Sequence, residues 1–425
     1  MDAGAARRRF AVSRPSVAEF GLAPFPREGT AASRFRIPAD MVHACRHRST
    51  HLPVTTPMNR QPCRLLCQGM AILLLGVACA SGAAAADGSS DHAGGTWQPA
   101  PYTLGHGLYF PGVGLRVGGY ADFNYYDVQG ARSNYDVRDL SLFLTQDIGT
   151  RWQLFGEVEA ANPVNSRGHT DVDNTQLDVE RLYIDYHANP YVNLRFGKFL
   201  TPIGEWNLVH ADPLTWTISR PLSTSAAFAL HAAGAMVFGT VPVRGRDLDY
   251  WVFADDTKNL NIGNNQENAY TNLGATQTLQ NRFRHALGGR VLYHLGDALS
   301  IGASALSYQL QSPRDKYFLG GVDFNWTTRY VGFTGEAIYR RSSDNRPDER
   351  GGFVQTEIPL WRRLYLIERY ERYRSSMPQQ TSTIRTTAIN FKPIEGIVLK
   401  LEYREGTGNL ALAPSGWLAS AAILF

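Results

Sequence analysis

Between Gly114 and Phe425 the chain can be divided into sixteen segments in which apolar and polar side chains alternate. Each is roughly ten residues long, about what a tilted strand needs to cross a bilayer. Alternation with a period of two gives a strand one apolar and one polar face, a pattern no helix can use. If the apolar face meets lipid, no backbone group can be left unpaired, so the sheet must close on itself. The pattern predicts an all-β fold: a transmembrane, antiparallel, up-and-down β-barrel of sixteen strands. Short turns fall near 148–150, 187–190, 243–247, 295–298, 327–329, 360–363 and 392–396, and longer connections alternate with them. That asymmetry assigns the short turns to the periplasmic side and the long loops to the outside. A barrel of this size leaves an aqueous interior.

The segment before the barrel differs in kind. Residues 1–57 carry nine Arg, no Lys and no periodicity, and read as an unstructured leader or an over-extended start. Residues 58–86 have the layout of a secretory signal peptide: Arg60 and Arg64, then an apolar stretch around Ile72-Leu73-Leu74-Leu75, then Ala84-Ala85-Ala86. Residues 87–111 form a flexible lead-in, and 112–425 the barrel. Residues 1–86 hold 11 Arg against 4 acids, a charge of +7, out of 42 basic and 38 acidic residues in the whole chain. The remaining 31 basic and 34 acidic side chains sum to −3, so the overall charge of +4 belongs to the leader and gives no argument for nucleic-acid binding. All four Cys precede residue 87, which excludes a disulfide framework after it. The uncharged run Pro221–Val243 is interrupted by Ser, Thr, His, Gly and Pro, and reads as the end of a loop followed by a strand.

Parity places the charges. Arg or Lys on the lipid face costs about 2–4 kcal/mol at the midplane, whereas a wet lumen solvates it. The inward, candidate pore-lining set is Arg116, Asp122, Asp139, Glu157, Glu159, Arg181, Asp185, Arg195, Arg290, Glu336, Arg340, Lys400, Glu402 and Arg404. Two readings follow: the inward charges pair with one another and keep the lumen wet, or, because acids weight the early strands and Arg the later ones, they set up a transverse field. Leu364–Arg374 carries charge in both rows and cannot be assigned. Aromatics gather at strand ends, among them Tyr126, Tyr191, Tyr250, Tyr308, Tyr330, Trp361 and Trp417, as in an interfacial girdle. The last strand alternates from Trp417 through Ile423 to Phe425, which resembles the terminal signature of outer-membrane barrels that the barrel-assembly machinery recognises by strand addition.

The stretch Leu194-Arg195-Phe196-Gly197-Lys198-Phe199-Leu200-Thr201-Pro202-Ile203-Gly204 resembles a motif of the phosphate-selective porin O and P family. Arg181-Leu182-Tyr183-Ile184-Asp185-Tyr186 and Gly118-Gly119-Tyr120 resemble it too. The resemblance implies a homotrimer in a Gram-negative outer membrane, in contact with its lipid. It implies a third long loop, here 201–230, folded inward to narrow a pore for small polar solutes or ions, including anions such as phosphate. The family's Lys clusters are not matched: only Lys198, Lys258, Lys316, Lys392 and Lys400 follow the signal.

No catalytic constellation, cofactor motif or metal-ligand spacing is present, so no cofactor is expected and the chain is not expected to be an enzyme. Asp171-Val172-Asp173-Asn174 lacks the Gly and distal Glu of a calcium loop. An outer-membrane hydrolase would need a nucleophile beside a His, and Ser420 with His294 is the pair parity offers. A plugged receptor or adhesin would need an appended domain, for which the lead-in is too short.

Overall fold

A computed structural model describes residues 98–165, 176–209, 211–256, 283–310, 315–343, 346–376 and 379–425. The leader, the signal segment and the loop Asp171–Asn174 lie outside the described residues. A short strand β1 (Leu108–Phe110) precedes β2 (Leu115–Val128), β3 (Asn134–Ile148), β4 (Trp152–Asn165), β5 (Gln176–Asn189) and β6 (Val192–Leu200). Then follow β7 (His231–Val243), β8 (Arg246–Asp255), β9 (Phe283–His294), β10 (Leu299–Leu310), β11 (Lys316–Thr327) and β12 (Gly332–Ser342). The chain ends with β13 (Glu349–Trp361), β14 (Leu364–Arg374), β15 (Thr381–Phe391), β16 (Ile397–Thr407) and β17 (Gly416–Leu424).

Strands β2 to β17 each pair antiparallel with their sequence neighbours, and β17 pairs with β2. This is the closed sixteen-strand barrel the alternation predicts. At the seam, Gly119 and Phe425 exchange both backbone hydrogen bonds at 2.8 Å. Strand β1 adds three residues against β2. No helix among the described residues is long and apolar enough to cross a membrane.

The outer wall is apolar and the inner wall polar, the reverse of a soluble core. In β3, Leu142 is 53% exposed while its neighbour Ser141 is 1% exposed. Outward Trp326 stacks on Phe333 (5.4 Å between centroids) and Tyr403 packs tilted against Trp417 (4.8 Å), cross-strand aromatic pairs of the kind that stabilise sheets. Two expected girdle residues lie inside instead. Tyr126 and Tyr308 are buried, and the Tyr308 hydroxyl donates to Ala227 O. Position at a strand end suggested an interface; parity points both inward. At the β7–β8 turn, Arg244 and Gly245 both have positive φ (53° and 77°), as a tight two-residue hairpin turn requires.

Segment 201–230, after the fifth barrel strand, runs into the lumen. It contains short turns at Trp206–Leu208 and Asp212–Leu214 and one helical turn, α1 (Leu222–Ser225), and most of its described residues are buried. Its Ile203, Leu222, Ala227 and Phe228 join inward apolar residues such as Leu306, Leu319 and Ile384 in one buried cluster. The interior is therefore partly dry, which the expectation of a wholly wet lumen did not include.

Candidate functional site

Asn207 staples the two ends of the inward segment, its Nδ2 donating to Thr201 O (2.8 Å) and Leu230 O (3.0 Å). Three wall carboxylates then hold its middle. Glu336 accepts the backbone N–H groups of Glu205 (2.7 Å) and Trp206 (2.5 Å). Glu402 accepts those of Ile218 (2.7 Å) and Ser219 (3.2 Å), and the Ser219 hydroxyl. Glu371 accepts the Leu222 N–H. A buried loop has backbone donors that water cannot satisfy, and inward carboxylates satisfy them here. Cations on the wall do the complementary work. Lys400 Nζ donates to Asp212 O (2.6 Å) and Thr215 Oγ1 (2.8 Å), and Arg340 Nη1 to Ala227 O (2.7 Å).

Most of the remaining basic candidates pair with wall carboxylates. Arg181 meets Glu157 at 2.5 Å, Arg195 grips Asp185 through two 2.8 Å bonds, and Arg290 meets Asp323. Arg195 also lies 3.7 Å from the Tyr183 ring centroid, a cation–π contact. Arg340 pairs with Glu349 at 2.5 Å. Arg116 lies at the short-turn end, donating to His106 O (3.0 Å). Glu159 accepts from the Ser141 hydroxyl at 3.4 Å, and Asp122 Oδ1 accepts the Asp139 N–H at 3.0 Å. Asp122, Asp139 and Asp212 have carboxylate oxygens within 4.8 Å of one another, a spacing a cation could use. The predicted division into acidic early strands and basic late strands does not describe this wall. Glu336, Glu371 and Glu402 stand on the late strands, next to the Arg residues.

One row stands apart. Arg369 of β14, Thr386 of β15 and Arg404 of β16 are direct register partners, Arg369 opposite Thr386 and Thr386 opposite Arg404, all buried on the inner face. Adjacent strands lie about 4.8 Å apart, so the two guanidinium groups flank the hydroxyl across roughly 10 Å of wall. Arg369 bonds the segment through Thr217 Oγ1 (2.6 Å) and Ser219 O (2.9 Å). Arg369 Nε, Thr386 Oγ1, and Arg404 Nε and Nη1 are buried donors that no protein acceptor satisfies. Arg404 was among the residues expected inside; Arg369 and Thr386 were not. The β14 rows look equally charged, and the register settles them. Glu368 faces outward, where its carboxylate accepts the Thr387 hydroxyl (2.9 Å), and Arg372 is exposed beside it. The row of Leu364, Leu366 and Tyr370 was the signal that could have found this.

At the short-turn mouth, Lys392 sits 4.1 Å from the Trp216 ring centroid of the inward segment and 5.5 Å from that of Tyr365. Burial pushes its amine down to about 8. The hydrolase pair does not form. His294 on β9 lies 2.8 Å from Asp249, while Ser420 on β17 is eight strands away in the barrel order.

Comparison with known proteins follows the same lines. The family model for phosphate-selective porin O and P matches residues 112–330. An anion-selective porin from Comamonas acidovorans is similar in fold, with a TM-score of 0.52 at 12% identity, covering 73% of this chain and 99% of that one. The trimer form of OmpT, an outer membrane protein of Vibrio cholerae, gives 0.51 at 11% identity, covering 73% and 99%. An uncharacterized protein of Aquifex aeolicus (strain VF5) is 28% identical over 110 residues, 25% of this chain. The match spans only 24% of that relative's length.

Proposed function

The chain belongs to the phosphate-selective porin O and P family, the porin channels of the outer membrane, and on that premise we propose that it passes small hydrophilic anions by passive diffusion past the inward segment 201–230. The observation that carries the anion preference is the Arg369–Thr386–Arg404 row, with its unsatisfied donors beside the segment. Guanidinium groups present planar, permanently charged forks that match oxyanions, phosphate included. Arg181, Arg195, Arg290 and Arg340 are each matched by a carboxylate and contribute little net field. The reading is of a conduit, not a catalyst, since the one nucleophile–base pair parity offered is split across the barrel. It includes a homotrimer, by analogy with the trimeric neighbour.

Reversal potentials in a KCl gradient test it. The parent chain should favour chloride over potassium, and Arg369→Gln with Arg404→Gln should lower that ratio by about threefold or more, as charged rings tune pores. Cation preference in the parent chain, or an unchanged ratio in the double variant, ends the anion reading.

Lys392 adds a pH dependence. Its depressed value leaves the amine charged at pH 7 and neutral by pH 9. Chloride preference should therefore fall as pH rises through about 8, and Lys392→Gln should make that step smaller. A parent chain with the same preference at pH 7 and pH 9 would contradict it.

A further inference from the structure

The outer wall carries a second concentration of arginine, unconnected with the lumen. Arg341 of β12, Arg350 of β13, Arg372 and Arg374 of β14, and Arg385 of β15 all point away from the interior by alternation. Arg341 follows inward Arg340; Arg372 stands between buried Glu371 and Tyr373; Arg385 stands between buried Ile384 and Thr386. All five lie in the long-loop half of their strands. Register places them together: Arg350 is opposite Arg374, Arg372 is between Gly352 and Thr383, and Arg385 is opposite Tyr370. Among the described residues none of the five has a hydrogen bond or ion pair to its guanidinium group.

Three acids share this face and offset three of the five Arg charges, which leaves a net +2. Asp348 accepts the Tyr339 hydroxyl, Glu368 accepts the Thr387 hydroxyl deeper in the wall, and Glu405 lies opposite Arg385 in register without an ion pair. Four adjacent strands thus present an arc of net positive charge about 14 Å wide, taking about 4.8 Å per strand spacing. Tyr339 and Tyr370 are exposed within it, at the level where amphipathic rings meet headgroups.

Such a cluster needs a partner. An arginine on the lipid face is unfavourable except near the interface, where snorkelling brings its head to polar groups. The long-loop half faces the outer leaflet, and the headgroups there that complement guanidinium are phosphates, which accept bidentate charge-assisted hydrogen bonds. We propose that Arg341, Arg350, Arg372, Arg374 and Arg385 form a binding surface for a phosphorylated glycolipid of the outer leaflet, gripping its headgroup phosphates. The width of the arc suits a headgroup carrying more than one phosphate. A second copy of this chain is a poorer occupant, because a symmetric contact would bring like charges together.

The test uses the whole purified protein in detergent, with lipopolysaccharide, enzymatically dephosphorylated lipopolysaccharide and phosphatidylcholine as probes. Native mass spectrometry and a lipid titration monitored by tryptophan fluorescence report binding. The parent chain should bind lipopolysaccharide, and Arg350→Gln/Arg372→Gln/Arg385→Gln should weaken binding by about tenfold or more, the loss of one or two charge-assisted contacts. The dephosphorylated lipid and phosphatidylcholine should bind the parent no better than the lipopolysaccharide binds the variant. Arg→Lys at the same three positions should retain binding to an intermediate degree, which separates lost charge from misfolding. Ion preference in planar bilayers should be unchanged in the triple variant, so failure here is distinct from failure of the channel reading. Equal binding by parent and triple variant, or by phosphorylated and dephosphorylated lipid, overturns the proposal. So does a triple variant that binds as the parent does and changes only its oligomeric state.

Discussion

Freeing segment 201–230 from the wall should raise single-channel conductance by about twofold or more, because that segment occupies the barrel interior. The variant that should do so is Glu336→Ala/Glu371→Ala/Glu402→Ala. Each carboxylate accepts backbone N–H groups of the segment: two at Glu336, two at Glu402 and one at Glu371. Alanine removes the acceptor at each anchor, and each buried donor left unsatisfied costs about 1–3 kcal/mol. Over three anchors the loss is on the order of 3–9 kcal/mol, enough to populate conformations away from the wall. The apolar contacts of Ile203, Leu222 and Phe228 and the Asn207 staple remain. The segment should therefore detach in its middle first, and recordings should show transitions between a small and a larger level. Planar-bilayer recording of parent and variant decides it. Identical conductance and identical noise would mean the carboxylates do not hold the segment in place.

This role for the carboxylates was not legible in the sequence, and the reason is physical. Alternation reports which way a side chain points, and it placed Glu336 and Glu402 inside. It says nothing about what fills the inside. An inward carboxylate in a water-filled lumen and one bonded to a buried loop have the same parity. The distinction depends on contacts between residues far apart in sequence, such as Glu402 with Ser219. Barrel closure, by contrast, follows from local pattern: alternating rows, turns of alternating length and the terminal Phe425 each constrain a strand without reference to distant ones. The segment 201–230 was located by its length and by family resemblance. Its contacts with β12, β14 and β16 came only from the three-dimensional arrangement.

The Arg369–Thr386–Arg404 row shows a second limit. Parity fails when both faces of a strand are charged, as in β14, where Glu368 and Arg372 share the outward row with Leu366 and Tyr370. A charge near the rim is tolerated on the outer wall, so the assumption that charge means inward loses force there. The same tolerance leaves room for the outward arginine arc. One strand thus contributes Arg369 to the interior and Arg372 and Arg374 to the lipid face, and only the register of its neighbours separates them.

Replacing Gly197 with Val should abolish the folded barrel, a larger effect than any loss of charge considered above. Gly197 lies in β6 with φ of +134°, a conformation L side chains rarely adopt. A Cβ there would stand 2.2 Å from Leu182 O and 2.7 Å from Tyr183 Cα, both in the backbone of β5. Neither atom can move without breaking the ladder between the two strands, which pairs Tyr183 with Gly197 directly. Backbone strain alone costs about 1–3 kcal/mol, and the collision adds the lost pairing around it. The damage would spread, because Arg195, two residues away, stacks on Tyr183 and pairs with Asp185 across the same ladder. Gly320 is the control: it has ordinary φ, and nothing lies within 4 Å of its added Cβ. Gly320→Ala should change stability by no more than about 0.5 kcal/mol. Folding is read from the heat-modifiable band on a cold SDS gel and from the urea midpoint of the refolded protein. Gly197→Val should show no compact band and Gly320→Ala a normal one. A stable, heat-modifiable Gly197→Val barrel would show that β5 and β6 do not approach as closely as this geometry requires.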